Sequence, residues 1–168
     1  MERLFKKVLD PTIAKLYYPA YNTLLSAHFP VTEGYGIDPR RCPIDDVDPS
    51  IQFTMTFVVL KEFAPVLFIA VQAPANLRLG TYRAAADTEV RSFYNSELNQ
   101  CPLDELHGIS VFGTKMGFYV GNKRTSEVMP SEVSRPPLDW WDNDILELEG
   151  ANKLRLLFDS IKSSCQKI

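Results

Sequence analysis

A mixed α and β chain, α+β or mixed α/β with a central mixed sheet flanked by helices, is what these 168 residues predict, and three observations predict it. Ile51, Phe53, Met55, Phe57 and Val59 alternate with Gln52, Thr54 and Thr56, the period-two pattern of a strand with one buried face. Val66 to Val71 is apolar without a break, as expected of a strand covered on both faces. Ala86, Val90, Phe93, Tyr94 and Leu98 then recur at helical spacing. Strand-like and helix-like runs interleaved along one chain give helices packed on a sheet.

The elements follow in order. Leu4, Phe5, Val8 and Leu9 make a short apolar helical face that Asp10-Pro11 interrupts, and Pro19 is expected to break the second helical stretch. From Tyr21 onward Leu24, Leu25 and His28 keep the i, i+3, i+4, i+7 spacing, so residues 1–30 read as N-terminal helices ending before Pro30. On that face His28 reads as a packed side chain rather than a ligand. Gly34, Gly36, Pro39, Pro43 and Pro49 mark 31–50 as loop, with room for a short strand. Residues 51–129 hold the sheet with one crossing helix. The strand to Val59 and the strand from Val66 are joined by a polar turn over Lys61 to Ala64, and a helix runs from Tyr82 to Leu98 with Asp87, Arg91 and Glu97 on its polar side. Ile109 to Phe112 and Phe118 to Val120 read as a hairpin around Gly113 to Gly117, with Gly121-Asn122 the next turn. Beyond Pro130, Pro136 and Pro137, a C-terminal helix over 142–165 carries Leu154, Leu157, Phe158 and Ile161, with Gly150 expected to kink or split it. One of Trp140 and Trp141 reads as packing that helix onto the sheet; the other reading is a base-stacking or partner-anchoring role. The length favours one domain spanning 1–168.

Composition narrows the function classes. Hydrophobic residues at 45% and charged residues at 23% suit a folded globular chain. The net charge of −3 supplies no global basic field, so nucleic-acid binding would need local clustering. Arg40, Arg41, Lys115, Lys123 and Arg124, in predicted loops or turns, are the candidates for phosphate contacts, against the plainer reading of solubilising charges. The apolar runs are shorter than a membrane span and Met1-Glu2-Arg3 begins no secretory signal, so an intracellular protein, cytoplasmic or nuclear, is expected. Cys42, Cys101 and Cys165 lack metal-ligand spacing and read as reduced thiols. Two histidines, no Gly-x-Ser-x-Gly elbow, and glycine clusters without phosphate-loop or dinucleotide spacing leave hydrolase triads and nucleotide cofactors unindicated.

Four segments carry a family resemblance: Pro65-Val66-Leu67-Phe68-Ile69-Ala70-Val71-Gln72, Ala86-Asp87-Thr88-Glu89-Val90-Arg91, Leu106-His107-Gly108-Ile109-Ser110-Val111-Phe112-Gly113 and Trp141-Asp142-Asn143-Asp144-Ile145-Leu146. Over roughly 51–165 the chain resembles the PD-(D/E)XK, or restriction-endonuclease-like, superfamily, and within it a group of fungal proteins. The resemblance implies a core of helix, three strands, helix and strand. It also implies a hairpin presenting an Asp, then an acidic residue, any residue and a Lys, around a divalent cation. Here that triplet is Ala70-Val71-Gln72. In the group the strand ends in Glu, an aliphatic residue and Lys, and the helix begins Ala-Asp followed by Gln-Met-Arg. The chain departs at Ala70, Gln72, Glu89 and Val90, and departures at several positions favour natural loss over a single engineered Glu-to-Ala change.

The departures bear on chemistry. Carboxylates hold the cation that activates water, and the Lys orients the nucleophile or stabilises developing charge. A methyl group at position 70 does neither, whereas the amide of Gln72 still orients water. A tight hairpin about residue 63 sets position 70 opposite about position 56 and Gln72 opposite Thr54, where no acid stands. Asp45, Asp46 and Asp48 lie one loop away; Asp46 and Asp48 are the candidate metal ligands, against the reading of a solvated loop. The resemblance therefore implies a nuclease-like protein, catalytically impaired or inactive, kept for binding nucleic acid or protein, with no cofactor expected. Two alternatives stay open: an active nuclease using Asp46 or Asp48, Glu62 and Gln72 with Mg²⁺, and a self-associating module, a homodimer, with no nucleic-acid role.

Overall fold

A computed structural model describes Phe5, residues 12–42 and residues 54–168, with the backbone alone for Arg41 and Cys42. Its order is α1 (Tyr18–His28), β1 (Tyr35–Cys42), β2 (Thr54–Lys61), β3 (Ala64–Gln72), α2 (Gly80–Glu97), β4 (Glu105–Phe112), β5 (Lys115–Asn122), β6 (Val128–Met129), β7 (Asn143–Asp144) and α3 (Leu148–Cys165), joined by short 3-10 turns. Helices flank one mixed sheet, as the interleaved periodicities predict. The strands lie in the order β1-β2-β3-β4-β5-β6, with β7 also paired to β5. All neighbours are antiparallel except β3 and β4, which run parallel. A parallel pair needs a long crossover, and α2 fills it.

The two faces have different covers. α1 and α3 cover one: Phe57, Val59, Leu67, Ile69, Val71, Ile109 and Val111 meet Tyr21, Leu24, Leu25, Leu154, Phe158 and Ile161. α2 covers the other, where Val58, Phe68, Ala70, Leu106 and Tyr119 meet Val90, Phe93, Tyr94 and Leu98. The close fit on this second face depends on glycine. A Cβ at Gly121 would stand 2.6 Å from the Tyr94 ring, so α2 approaches β5 only because that side chain is absent.

Several expectations are corrected. Pro19 lies in the first turn of α1 and opens the helix rather than breaking it, because the ring fits where no intrahelical donor is required. Residues 35–42 are a full strand despite Gly36 and Pro39. β1 has β2 as its sole neighbour among the described residues, and an edge tolerates a proline that a central strand would not. β2 is buried on both faces, with Thr54, Thr56 and Val58 as enclosed as Phe57 and Val59. The β4–β5 hairpin turns at Gly113-Thr114, and Gly121 and Asn122 belong to β5. α3 is continuous: Gly150 sits in its first turn, where a Cβ would collide with the Asp144 carbonyl, so the glycine serves close approach to β7. Asp87, assigned to the polar side of α2, is 3% exposed and paired to Arg91 at 2.8 Å. The expected helical face of Leu4, Val8 and Leu9 lies outside the described residues. Phe5 is described, buried edge-on against Tyr21 at 5.0 Å.

Candidate functional site

Because side chains alternate along a strand, β3 sends Phe68, Ala70 and Gln72 toward α2. The hairpin register sets Thr56 opposite Ala70 and Met55 opposite Val71, as the turn about residue 63 predicts, with a bulge between Val59 and Leu60. On its other side Ala70 faces Ser110 of β4. Thr54, Thr56, Ala70, Gln72 and Ser110 therefore share one end of the α2-covered face. One turn of α2 adds Glu89.

Glu89 organises this end. Its Oε1 accepts the Thr54 hydroxyl at 2.8 Å and the Thr56 hydroxyl at 3.3 Å, and its Oε2 accepts Gln72 Nε2 at 3.2 Å. Gln72 Oε1 in turn accepts the Ser110 hydroxyl at 3.3 Å. The half-buried carboxylate is thus solvated by three neutral donors, and the chain of donors runs from β4 through β3 to the helix. Such bonds to a charged acceptor are about twice as strong as neutral ones. Ala70 is 1% exposed and belongs to the apolar cluster with Val58, Phe68 and Val90, so position 70 is a packed methyl group rather than an open cavity. Relative to the pattern that the resemblance implies, strand and helix have exchanged character: the amide stands on β3 at Gln72 and the carboxylate on α2 at Glu89.

The arrangement can orient hydroxyls and hold one negative charge. A hard divalent cation asks for more than that, usually two carboxylates with further oxygens. Among the described residues no group of three His, Cys, Asp or Glu side chains is placed to hold a metal ion. Asp45, Asp46 and Asp48 lie outside the described residues. The segment that carries them begins after Cys42 and ends before Thr54, two residues paired across β1 and β2. Glu62 cannot join Gln72, because it sits at the hairpin tip and the intervening strand spans about 30 Å at ~3.3 Å per residue.

The basic candidates are dispersed and engaged. Arg40 lies in β1 and Lys115 in β5, rather than in loops. Arg40 bonds Asp38 at 2.7 Å and Glu97 at 2.9 Å, and Lys115 pairs with Asp144 at 3.4 Å. Lys123 Nζ donates to the Cys101 carbonyl at 2.7 Å, and Arg124 pairs with Asp104 at 2.9 Å. The Arg41 side chain lies outside the described residues. His28 packs edge-on to Phe158 at 5.2 Å, and burial lowers its pKa. His107 is lowered by burial too, with Glu105 opposing at 4.0 Å. Cys101 and Cys165 are buried free thiols whose pKa burial raises, which makes them poor nucleophiles. Trp141 is buried against Phe112 at 5.4 Å on the α2 side of the sheet, so it does not pack α3, which covers the opposite face; Trp140 is half-buried beside it.

Sequence reasoning marked Glu89 only as a departure from the family pattern. Its signal was an acid on the helix beside a strand end that carries none. Asp87 and Arg91 were legible as charges on the polar side of α2, not as a buried i, i+4 ion pair. Arg91 also donates to the Pro130 carbonyl at 2.7 Å, tying the segment after β6 to α2.

Fold and site together define a mixed α/β protein with a polar cluster, built on one carboxylate among the described residues, where α2 crosses the sheet. Comparison with protein-family models, curated proteins and solved structures found no match to the chain. Among the described residues no helix is long and apolar enough to cross a membrane.

Proposed function

We propose that this chain is a PD-(D/E)XK-like protein that has lost metal-dependent cleavage and is kept for binding. The observation that carries the reading is the Glu89 cluster. At the end of the strand where a cleaving relative would present two acids and a lysine, the chain has a packed methyl at Ala70 and an amide at Gln72. Among the described residues one carboxylate is present there, bonded by Thr54, Thr56 and Gln72. The order of helix, three strands, helix and strand from α1 to β4 supports the same reading. Of the two kinds of partner, protein is favoured over nucleic acid: Arg40, Lys115, Lys123 and Arg124 each spend their charge on an acid or a carbonyl of the chain itself, and the net charge of −3 provides no attraction for phosphate.

A second reading, the active Mg²⁺-dependent nuclease, draws on one feature. The segment holding Asp46 and Asp48 is tethered at Thr54, whose hydroxyl bonds Glu89. Incubating the protein with plasmid and single-stranded DNA in Mg²⁺ or Mn²⁺ separates the two. No cleavage is expected; metal-dependent cutting that Asp48→Ala abolishes would establish the second reading. Retardation of DNA that weakens steeply with salt would move the preferred partner from protein to nucleic acid.

A further inference from the structure

The turn joining β2 to β3 is built against its own conformational preference. Lys61 pairs with Ala64, leaving Glu62 and Phe63 as the two central residues, at φ +50° and +70°. Turns of this shape ordinarily use Asn and Gly, because a Cβ in the left-handed region is strained. Phe63 is nevertheless placed there with 95% of its surface exposed, the most exposed large apolar side chain among the described residues. The tip is also braced. The Glu62 N–H donates to the Gly34 carbonyl at 3.3 Å, Lys61 Nζ donates to the Glu33 carbonyl at 2.7 Å, and Glu33 pairs with Lys162 of α3 at 2.7 Å. A strained turn that is held in place and presents an aromatic ring to water calls for a function.

The same end of the sheet carries a cleft large enough to admit the ring. The parallel register of Leu67 with His107 sets the start of β3 level with Asp104. There, between the start of β4 and the last turns of α3, lies an open cleft of about 610 Å³ with Leu103 and Ile161 among its lining and Asp104, Glu105, His107 and Lys167 around them. A single aromatic ring needs a cavity of about 150 Å³. Prong and cleft thus occupy one surface, which is the condition for an isologous interface, where a patch is complementary to itself. Charge agrees with the fit: the exposed Glu62 beside the ring would arrive at a rim bearing the exposed Lys167.

We propose that the chain forms a two-fold homodimer in which Phe63 of each copy enters the cleft between β4 and α3 of the other. Glu62 faces Lys167 across each of the two equivalent contacts. The inference stands on these residues and not on the nuclease-like reading, so neither fails with the other.

Sedimentation equilibrium and light scattering over a broad micromolar range test it with the intact chain. The wild type is expected to be a dimer at the upper end of that range. Phe63→Gly is expected to weaken the dimer roughly 100-fold, since two buried rings are lost per dimer. The same variant should raise the thermal midpoint of the monomer, because glycine relieves the turn. Glu62→Lys and Lys167→Glu should each weaken association, and the double variant should restore it. A wild type that stays monomeric throughout, a Phe63→Gly variant that dimerises as the wild type does, or a double charge exchange no better than its single members would each overturn the proposal.

Discussion

β3 sends Leu67, Ile69 and Val71 to one face of the sheet and Phe68, Ala70 and Gln72 to the other, and the two faces are built differently. Under α1 and α3 the contacts are predominantly apolar, with Phe158 at the centre, edge-on to Phe29 at 5.1 Å and to His28 at 5.2 Å, and with the buried Tyr21 hydroxyl donating to the Gly113 carbonyl at 2.7 Å. Under α2 the apolar cluster of Phe68, Phe93 and Tyr94 gives way, two residues along the same strands, to Thr56, Gln72 and Ser110 around Glu89. Buried hydroxyls and amides add little net stability, and each becomes costly once its partner is removed. Apolar packing on both faces therefore holds the fold, with the larger share on the first. The second keeps a connected polar network around Glu89 at one end of the sheet.

The largest effect expected from testing this contrast lies on the first face. Phe158→Ala should destabilise by about 3–5 kcal/mol in urea titration, and a loss below about 1 kcal/mol would mean that α3 is not the anchor described. Ala70→Glu comes next and probes the second face. A second carboxylate beside Thr56 and near Glu89 should cost about 3–5 kcal/mol. Mn²⁺ should then raise the thermal midpoint of the variant but not of the wild type; a folded variant indifferent to Mn²⁺ would show that positions 70 and 89 do not form a metal-capable pair. Smaller again, Gln72→Leu removes one donor from Glu89 and the acceptor of Ser110, for about 1–3 kcal/mol, and an unchanged denaturation midpoint would show the network to be dispensable. The smallest effect is a pH dependence on the first face. Burial holds His28 below its ordinary pKa of 6.5, so below that pH the unfolded chain binds more protons than the folded one and stability falls as pH falls. His28→Gln should flatten the decline between about pH 6.5 and 5; a slope equal to that of the wild type would remove His28 from the account.

Much of this contrast was legible beforehand. The unbroken apolar run of β3 predicted cover on both faces, and the hairpin about residue 63 placed Thr56 opposite Ala70, as observed. The helical period of 86–98 gave α2 to within a few residues. Local propensity misled where tertiary position overrules it. Gly36 and Pro39 read as loop because a proline is unwelcome in a sheet, yet an edge strand accommodates it. Gly150 read as a break because glycine weakens helices, but it marks close approach to β7. The candidate site was half visible. Ala70 and Gln72 stood out as departures, whereas Glu89 acquired meaning only when α2 laid it over Thr54 and Thr56.

The sequence by itself determined the strand character of β2 and β3, the helical character of α2, and that position 70 has no acid, because periodicity and side-chain chemistry are written residue by residue. Only the tertiary structure decided that Asp87 is buried, that four basic side chains are engaged within the chain, and that the Glu89 carboxylate of the helix gathers donors from two strands. Those facts depend on which groups far apart in the chain come within hydrogen-bonding distance, and a charge reads the same in a sequence whether folding leaves it in water or brings it a partner.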